Sequence, residues 1–146
     1  MSFSISFDSG SPSSDYEDGY PRMMGTITIG AAVERFASVT AMWNQATYER
    51  QWRNAARRLL DEGVALLCTD FVADRDQSSC DLWYMYREEE TVYIYNVFLL
   101  DELRPDTAFK DLYALIPLRS EVAGEDISEW TVPVGAVQAW LHSTSA

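Results

Sequence analysis

The chain is poor in the residues on which most enzyme chemistry depends: its 146 residues include one histidine, two cysteines and only 11 basic side chains. Nucleophilic catalysis by serine or cysteine ordinarily needs a neighbouring base, and the one imidazole, His142, falls in a segment read as a flexible tail, 142–146. Cys68 and Cys80 have neither a second close-spaced pair nor the histidines a zinc site wants, and two cysteines make no disulfide framework, so both read as reduced thiols. The seven glycines are scattered, and none precedes a Lys-Ser/Thr pair, which leaves no phosphate-binding loop. No stretch approaches the roughly 20 apolar residues of a membrane span. Met1–Gly10 has no basic start and no apolar run of the secretory kind. These absences set the expectations: no catalytic residue, no metal, no cofactor, no membrane partner and a cytoplasmic location.

Charge of one sign is plentiful. Against the 11 basic side chains stand 23 acidic ones, for a net of −12. Residues 1–60 hold six of each, so the whole excess belongs to residues 61–146, with 17 acids and five bases. A field of this sign repels nucleic acid and steers a basic protein towards the surface that carries it. The same charge also serves plain solubility.

Hydrophobic patterning supplies the architecture. Phe3, Ile5 and Phe7 alternate with serines and read as a half-buried strand. An acidic, Gly/Pro/Ser-rich loop, 9–22, follows. Thr26–Gly30 and Val33–Val39 read as a hairpin. Met42 and Trp43 precede a helix that begins at Asn44 or Thr47, both good caps, and stops near Glu62 before Gly63. Its stripe of Tyr48, Trp52, Ala55, Ala56, Leu59 and Leu60 is a buried face. Arg50, Arg53, Arg57 and Arg58 lie on its other side, where a solvated face explains them better than a nucleic-acid site does.

Val64–Val72 reads as a central strand. The polar stretch after it begins like a calcium loop with Asp74, Asp76 and Ser78, but offers Ser79 where glycine is needed and Met85 where a bidentate glutamate is needed, so calcium is excluded. Cys80–Arg87 and Thr91–Leu99 form the clearest hairpin, with aromatics on both faces, one expected to pack near Trp52. Its turn is Glu88, Glu89 and Glu90. Three adjacent carboxylates resist burial, so this turn projects into water. A short helix over Phe109–Leu118, a loop over Arg119–Asp126, a strand around Trp130 and a last helix over Val134–Leu141 complete the chain. The expected fold is α+β: one domain, 1–146, with an antiparallel sheet of about five to seven strands packed against one main amphipathic helix, and short C-terminal helices.

The order of residues through the middle carries a family resemblance: Tyr48-x-x-Gln51-Trp52 on the helix, Leu66-Leu67-Cys68-Thr69 on a strand, Trp83-Tyr84-Met85-Tyr86-Arg87-Glu88 and Val92-Tyr93-Ile94-Tyr95-Asn96 on the hairpin, then Ile127-Ser128-Glu129-Trp130. Over Ser2–Val132 the chain resembles the CdiI immunity proteins of bacterial contact-dependent growth inhibition. It departs from them in the acidic loop Asp8–Arg22, where such relatives tend to have a short link. The resemblance implies a small cytoplasmic protein that binds the C-terminal domain of a cognate toxin, often a nuclease, and neutralises it stoichiometrically.

An acidic surface fits that role, because nuclease clefts are basic. The expected contact residues are Asp74, Asp76, Asp81, Glu88, Glu89, Glu90, Asp101 and Glu102; Tyr84, Tyr86 and Tyr95 could serve as aromatic anchors, though packing in the core or sheet is the favoured reading for each. Two other readings stand beside it. One is an acid-base enzyme using a carboxylate pair such as Asp70 and Asp81. The other is an oligomeric subunit that buries an uncovered aromatic sheet face against a second copy.

Overall fold

A computed structural model describes residues 2–10, 13, 19–73, 78–100, 112–123 and 127–144. Among the described residues, seven strands form two antiparallel sheets. The first contains β1 (Phe3–Phe7), β2 (Arg22–Ile29) and β3 (Ala32–Val39) in that order, and the second contains β4 (Val64–Ala73), β5 (Ser78–Glu88), β6 (Thr91–Leu100) and β7 (Glu129–Pro133). The helices are α1 (Gln45–Glu62), the single turn α2 (Arg119–Val122) and α3 (Val134–Thr144). The expected α+β class holds, with the strands divided between two sheets.

The first sheet is built on the period-2 pattern. Phe3, Ile5, Ile27 and Ile29 are buried, and β2 begins at Arg22, earlier than the sequence suggested, where a bridge ties it to Ser13. Gly25 sits opposite both Phe7 and Phe36. Their rings lie 6.0 Å apart and each meets the Trp52 ring of α1. The glycine makes that meeting possible, since an added Cβ would stand 2.3 Å from Phe36 Cζ and 2.9 Å from the Ser6 carbonyl oxygen. The aromatic partners of Trp52 therefore come from the first sheet and its own helix, and not from the β5–β6 hairpin.

Helix α1 starts and stops where its caps dictate. The Asn44 side chain accepts from the Thr47 amide at 2.9 Å, and Gly63 adopts φ 84°, a left-handed stop that glycine takes at little cost. Trp43, just before the cap, packs on Tyr48 with ring centroids 5.3 Å apart and stacks on Phe71 of β4 at 4.4 Å. This is the hydrophobic staple, fixing the angle at which the chain enters the helix.

The interface between α1 and the second sheet is polar and buried. β4 was expected to be central, yet it ends the hydrogen-bonded order of its sheet. Side chains complete its outer edge in place of a strand. Gln51 Nε2 donates to Leu66 O at 2.9 Å and its Oε1 accepts from the Cys68 amide at 2.7 Å. Trp52 Nε1 donates to Cys68 O at 2.8 Å. The Tyr48 hydroxyl accepts from the Phe71 amide and donates to Val39 O of β3. Ser38 Oγ donates to Thr69 O, and the Val39 amide donates to Asp70 Oδ1. A bulge at Thr69 shifts the register between Cys68 and Asp70, which explains why two polar residues interrupt an otherwise apolar run.

Towards its turn the β5–β6 hairpin is covered on both faces from within the chain. Trp83 meets Trp130 of β7, Tyr86 donates to Pro117 O at 2.8 Å, and Arg119 lies 3.5 Å over the Tyr93 ring. Towards the other end Phe98 and Leu100 of β6 stay exposed. Further differences concern the C-terminal part. Tyr113–Leu115 is a 3-10 turn, while Phe109 lies outside the described residues. Arg119–Val122 is helical where a loop was expected, and α3 continues through His142 to Thr144.

Two variants test this packing by urea denaturation. Gly25→Ala should lower stability by about 2 kcal/mol, because neither the Phe36 ring nor the Ser6 carbonyl has room to retreat. Gln51→Leu, which preserves bulk but orphans Leu66 O and the Cys68 amide, should cost about 2–5 kcal/mol. A loss below 0.5 kcal/mol, on the order of surface noise, would show that the Gln51 bonds are dispensable.

Candidate functional site

The described members of the proposed contact set lie apart in the second sheet. Pairing places Ala73 against Ser78 and Ser79 against Leu100 at one end of the second sheet, and Glu88 against Thr91 at the other. β5 runs between these ends over 11 residues, roughly 35 Å of strand. Asp81 belongs near the first end and Glu88, Glu89 and Glu90 form the second. Asp74, Asp76, Asp101 and Glu102 lie outside the described residues.

At the second end Glu88 still pairs with Thr91, so the turn proper is Glu89-Glu90. All three glutamates are exposed, as their mutual repulsion demands. Glu89 has φ 55°, a left-handed conformation that side chains other than those of Gly, Asn and Asp seldom adopt. Arg87 holds the turn from behind, donating to Glu89 O at 3.0 Å and to Leu60 O, near the end of α1, at 3.2 Å. The Val134 amide, at the start of α3, donates to Glu90 O at 2.9 Å. A turn anchored at its backbone with its carboxylates outward is a rigid acidic projection.

The three carboxylates differ in how free they are. Arg119 Nη1 donates to Glu88 at 2.8 Å, and its Nε donates to the Tyr95 hydroxyl at 3.0 Å. Tyr95 in turn donates to Glu129, whose carboxylate stands 3.7 Å from the same guanidinium. Burial and the bond to Glu129 raise the Tyr95 phenol above its usual pKa. Glu88 is thus committed to a structural network. Glu90, with its side chain 87% exposed and 3.8 Å from Arg87, remains available in solvent.

At the first end Asp81 is half-buried and fully engaged: the Thr69 hydroxyl donates to its Oδ2 at 2.7 Å and Asn96 Nδ2 to its Oδ1 at 2.8 Å. Trp83 Nε1 donates to the same Thr69 oxygen. This chain of bonds holds the bulge in place. Asp70, opposite Asp81 in the register, accepts from the Val39 amide. The pair that acid-base chemistry could have used is occupied in holding strands together. Tyr84, Tyr86 and Tyr95 are 3%, 5% and 0% exposed, in keeping with packing, the favoured reading. Cys68 and Cys80 are buried thiols, and burial pushes the Cys68 thiol well up.

Sequence reasoning missed the Arg119 network and the Gln51 bridge. Arg119 stood in a segment read as loop, and nothing local marks its reach to Tyr93, Tyr95 and Glu88. Gln51 interrupted an apolar stripe; a polar residue on the buried side of a helix was the available signal, since such a side chain must find partners.

A two-sheet α+β protein whose polar groups serve its own framework, and whose free carboxylates stand on an anchored turn, has the makings of a binding protein. The model of the CdiI N-terminal domain matches residues 38–140, and the chain belongs to that family. Among solved structures, the chain is similar to one from Enterobacter cloacae described as a CdiA-CT/CdiI toxin and immunity complex, with TM-score 0.81, 22% identity and 97% of both chains covered. At that identity the likeness speaks for the fold. No curated protein matches.

Relieving the strain at the turn gives a local test. Glu89→Gly should raise stability by about 0.5–1 kcal/mol, because glycine adopts the positive φ without a Cβ penalty. Thermal melts compared with Glu90→Gly, where φ is not positive, separate this from loss of a charge.

Proposed function

We propose that this chain is an immunity protein that binds and neutralises the toxin domain of a contact-dependent growth inhibition system, one molecule to one. Membership of the CdiI family carries the reading, and the fold shared with the chain from a toxin and immunity complex supports it. The reading makes the chain an inhibitor with no turnover of its own, acting in the cytoplasm. The net charge of −12 favours a basic partner such as a nuclease, whose phosphate-binding cleft an acidic protein can occupy and be steered towards. Contact is assigned to the acidic turns, Glu89 and Glu90 foremost. Asp74, Asp76, Asp101 and Glu102 complete the proposal.

Expression of the toxin domain encoded beside this chain should arrest growth, and co-expression of the chain should restore it, while a toxin domain of another system stays active. Continued arrest with soluble chain present would overturn the proposal. Reversing Glu89 and Glu90 to lysine should slow toxin association by about tenfold at low salt, an effect that fades as salt rises. Glu88 is left out of that variant because reversing it would break its bond to Arg119. An unchanged rate in stopped-flow mixing would remove the turn from the encounter surface.

A further inference from the structure

β6 pairs with β5 along its whole length, from Thr91 to Leu100, whereas β7 covers only Thr91–Tyr95. Among the described residues nothing pairs with the outer edge of Asn96–Leu100. The phase of that edge follows from the register. The Val134 amide donates to Glu90 O, which continues the alternation in which Val92 and Ile94 face Val132 and Trp130. Even-numbered residues of β6 therefore turn their N–H and C=O groups outward, and among the described residues nothing meets those of Asn96, Phe98 and Leu100. Phe98 and Leu100 are 57% and 62% exposed and, two residues apart, share a face of the strand.

Proteins normally blunt such an edge with a charge, a proline or a bulge, because it invites pairing with another chain. Here it is apolar and regular, with no register shift between β5 and β6. We infer that Asn96–Leu100 is a docking edge for an extended, basic segment of the cognate toxin, added antiparallel or parallel to β6, with alternate apolar side chains on Phe98 and Leu100. This rests on the immunity reading above and specifies its contact. The edge dictates an extended backbone as occupant, since only a strand matches open groups repeating every second residue. The charge selects a basic one, because the sheet belongs to the part of the chain that carries the entire −12. A second copy of the chain would bring two such fields edge to edge and is disfavoured on the same ground.

Amide exchange on the wild-type chain, free and saturated with catalytically inactive toxin domain, tests the inference. The Phe98 and Leu100 amides should exchange freely alone and slow by about 100-fold or more in the complex. If toxin binds while these amides stay unprotected, the docking edge is wrong and the immunity reading stands; if no toxin binds, both fall. Protection that grows with concentration of the free chain would assign the edge to a second copy and overturn the inference. A pair of variants isolates the backbone bond: Phe98→Ala removes the ring, and Phe98→Pro removes the ring and the outward N–H. The proline variant should bind about tenfold more weakly than the alanine variant, with melting temperatures showing that both fold. Equal affinities of the two folded variants would contradict strand addition, and should the proline variant fail to fold, the exchange measurement decides.

Discussion

The outer edge of β4 is the constraint that the rest of the molecule is arranged to meet. A strand that ends its sheet presents a row of backbone donors and acceptors, and burying that row without partners costs about 1–3 kcal/mol for each group. Here the row is buried against a helix, which has no free backbone to offer. The amide of Gln51 does a strand's work, giving one bond to Leu66 O and taking one from the Cys68 amide, while Trp52 and Tyr48 serve the next positions. These three residues lie within a single turn and a half of α1, so the helix must sit at one height and one rotation. The cap at Asn44 and the Trp43 staple set that position from the sequence side. Once α1 is so placed, Trp52 can also close the first sheet over Phe7 and Phe36.

With the interior polar groups spent on the framework, interaction with other molecules falls to what the sheets hold out. Near its turn the second sheet is closed on its faces, by Trp130 on Trp83 and by Arg119 on Tyr93. Among the described residues it leaves exposed the Glu89-Glu90 turn, part of one edge, and Phe98 and Leu100 beside that edge. The turn is held by Arg87 to the end of α1 and by Glu90 O to the start of α3. A turn fixed by backbone bonds from two other elements has little freedom to lose on binding. The pronounced asymmetry of charge along the chain gives such a surface long reach at low cost to the fold.

Much of the fold was legible because its signals are local. Alternation in Phe3–Phe7, the cap and stop of α1 at Asn44 and Gly63, and the β5–β6 hairpin all depend on neighbours within a few residues. The division into two sheets was not legible, since it depends on side chains from α1 and β3 sealing β4, contacts across 15 to 31 residues of sequence. Likewise the acids were legible as exposed but not as distinguishable. Only the distant Arg119 separates Glu88 from its neighbours, and only the Thr69 bulge turns Asp81 inward. The tyrosines were read towards packing, but what buries them was not legible: Pro117 and Arg119 meet Tyr86, Tyr93 and Tyr95 from far along the chain.

The central claim is that the chain acts by forming a tight one-to-one complex with its cognate toxin domain. Calorimetric titration of the purified pair at low and at physiological salt tests this most directly. The titration should give a stoichiometry of one, a dissociation constant at or below about 10 nM as befits a protective inhibitor, and a weakening with salt from the charge of the acidic partner. Absence of heat and of binding at micromolar concentrations of both folded proteins would contradict it.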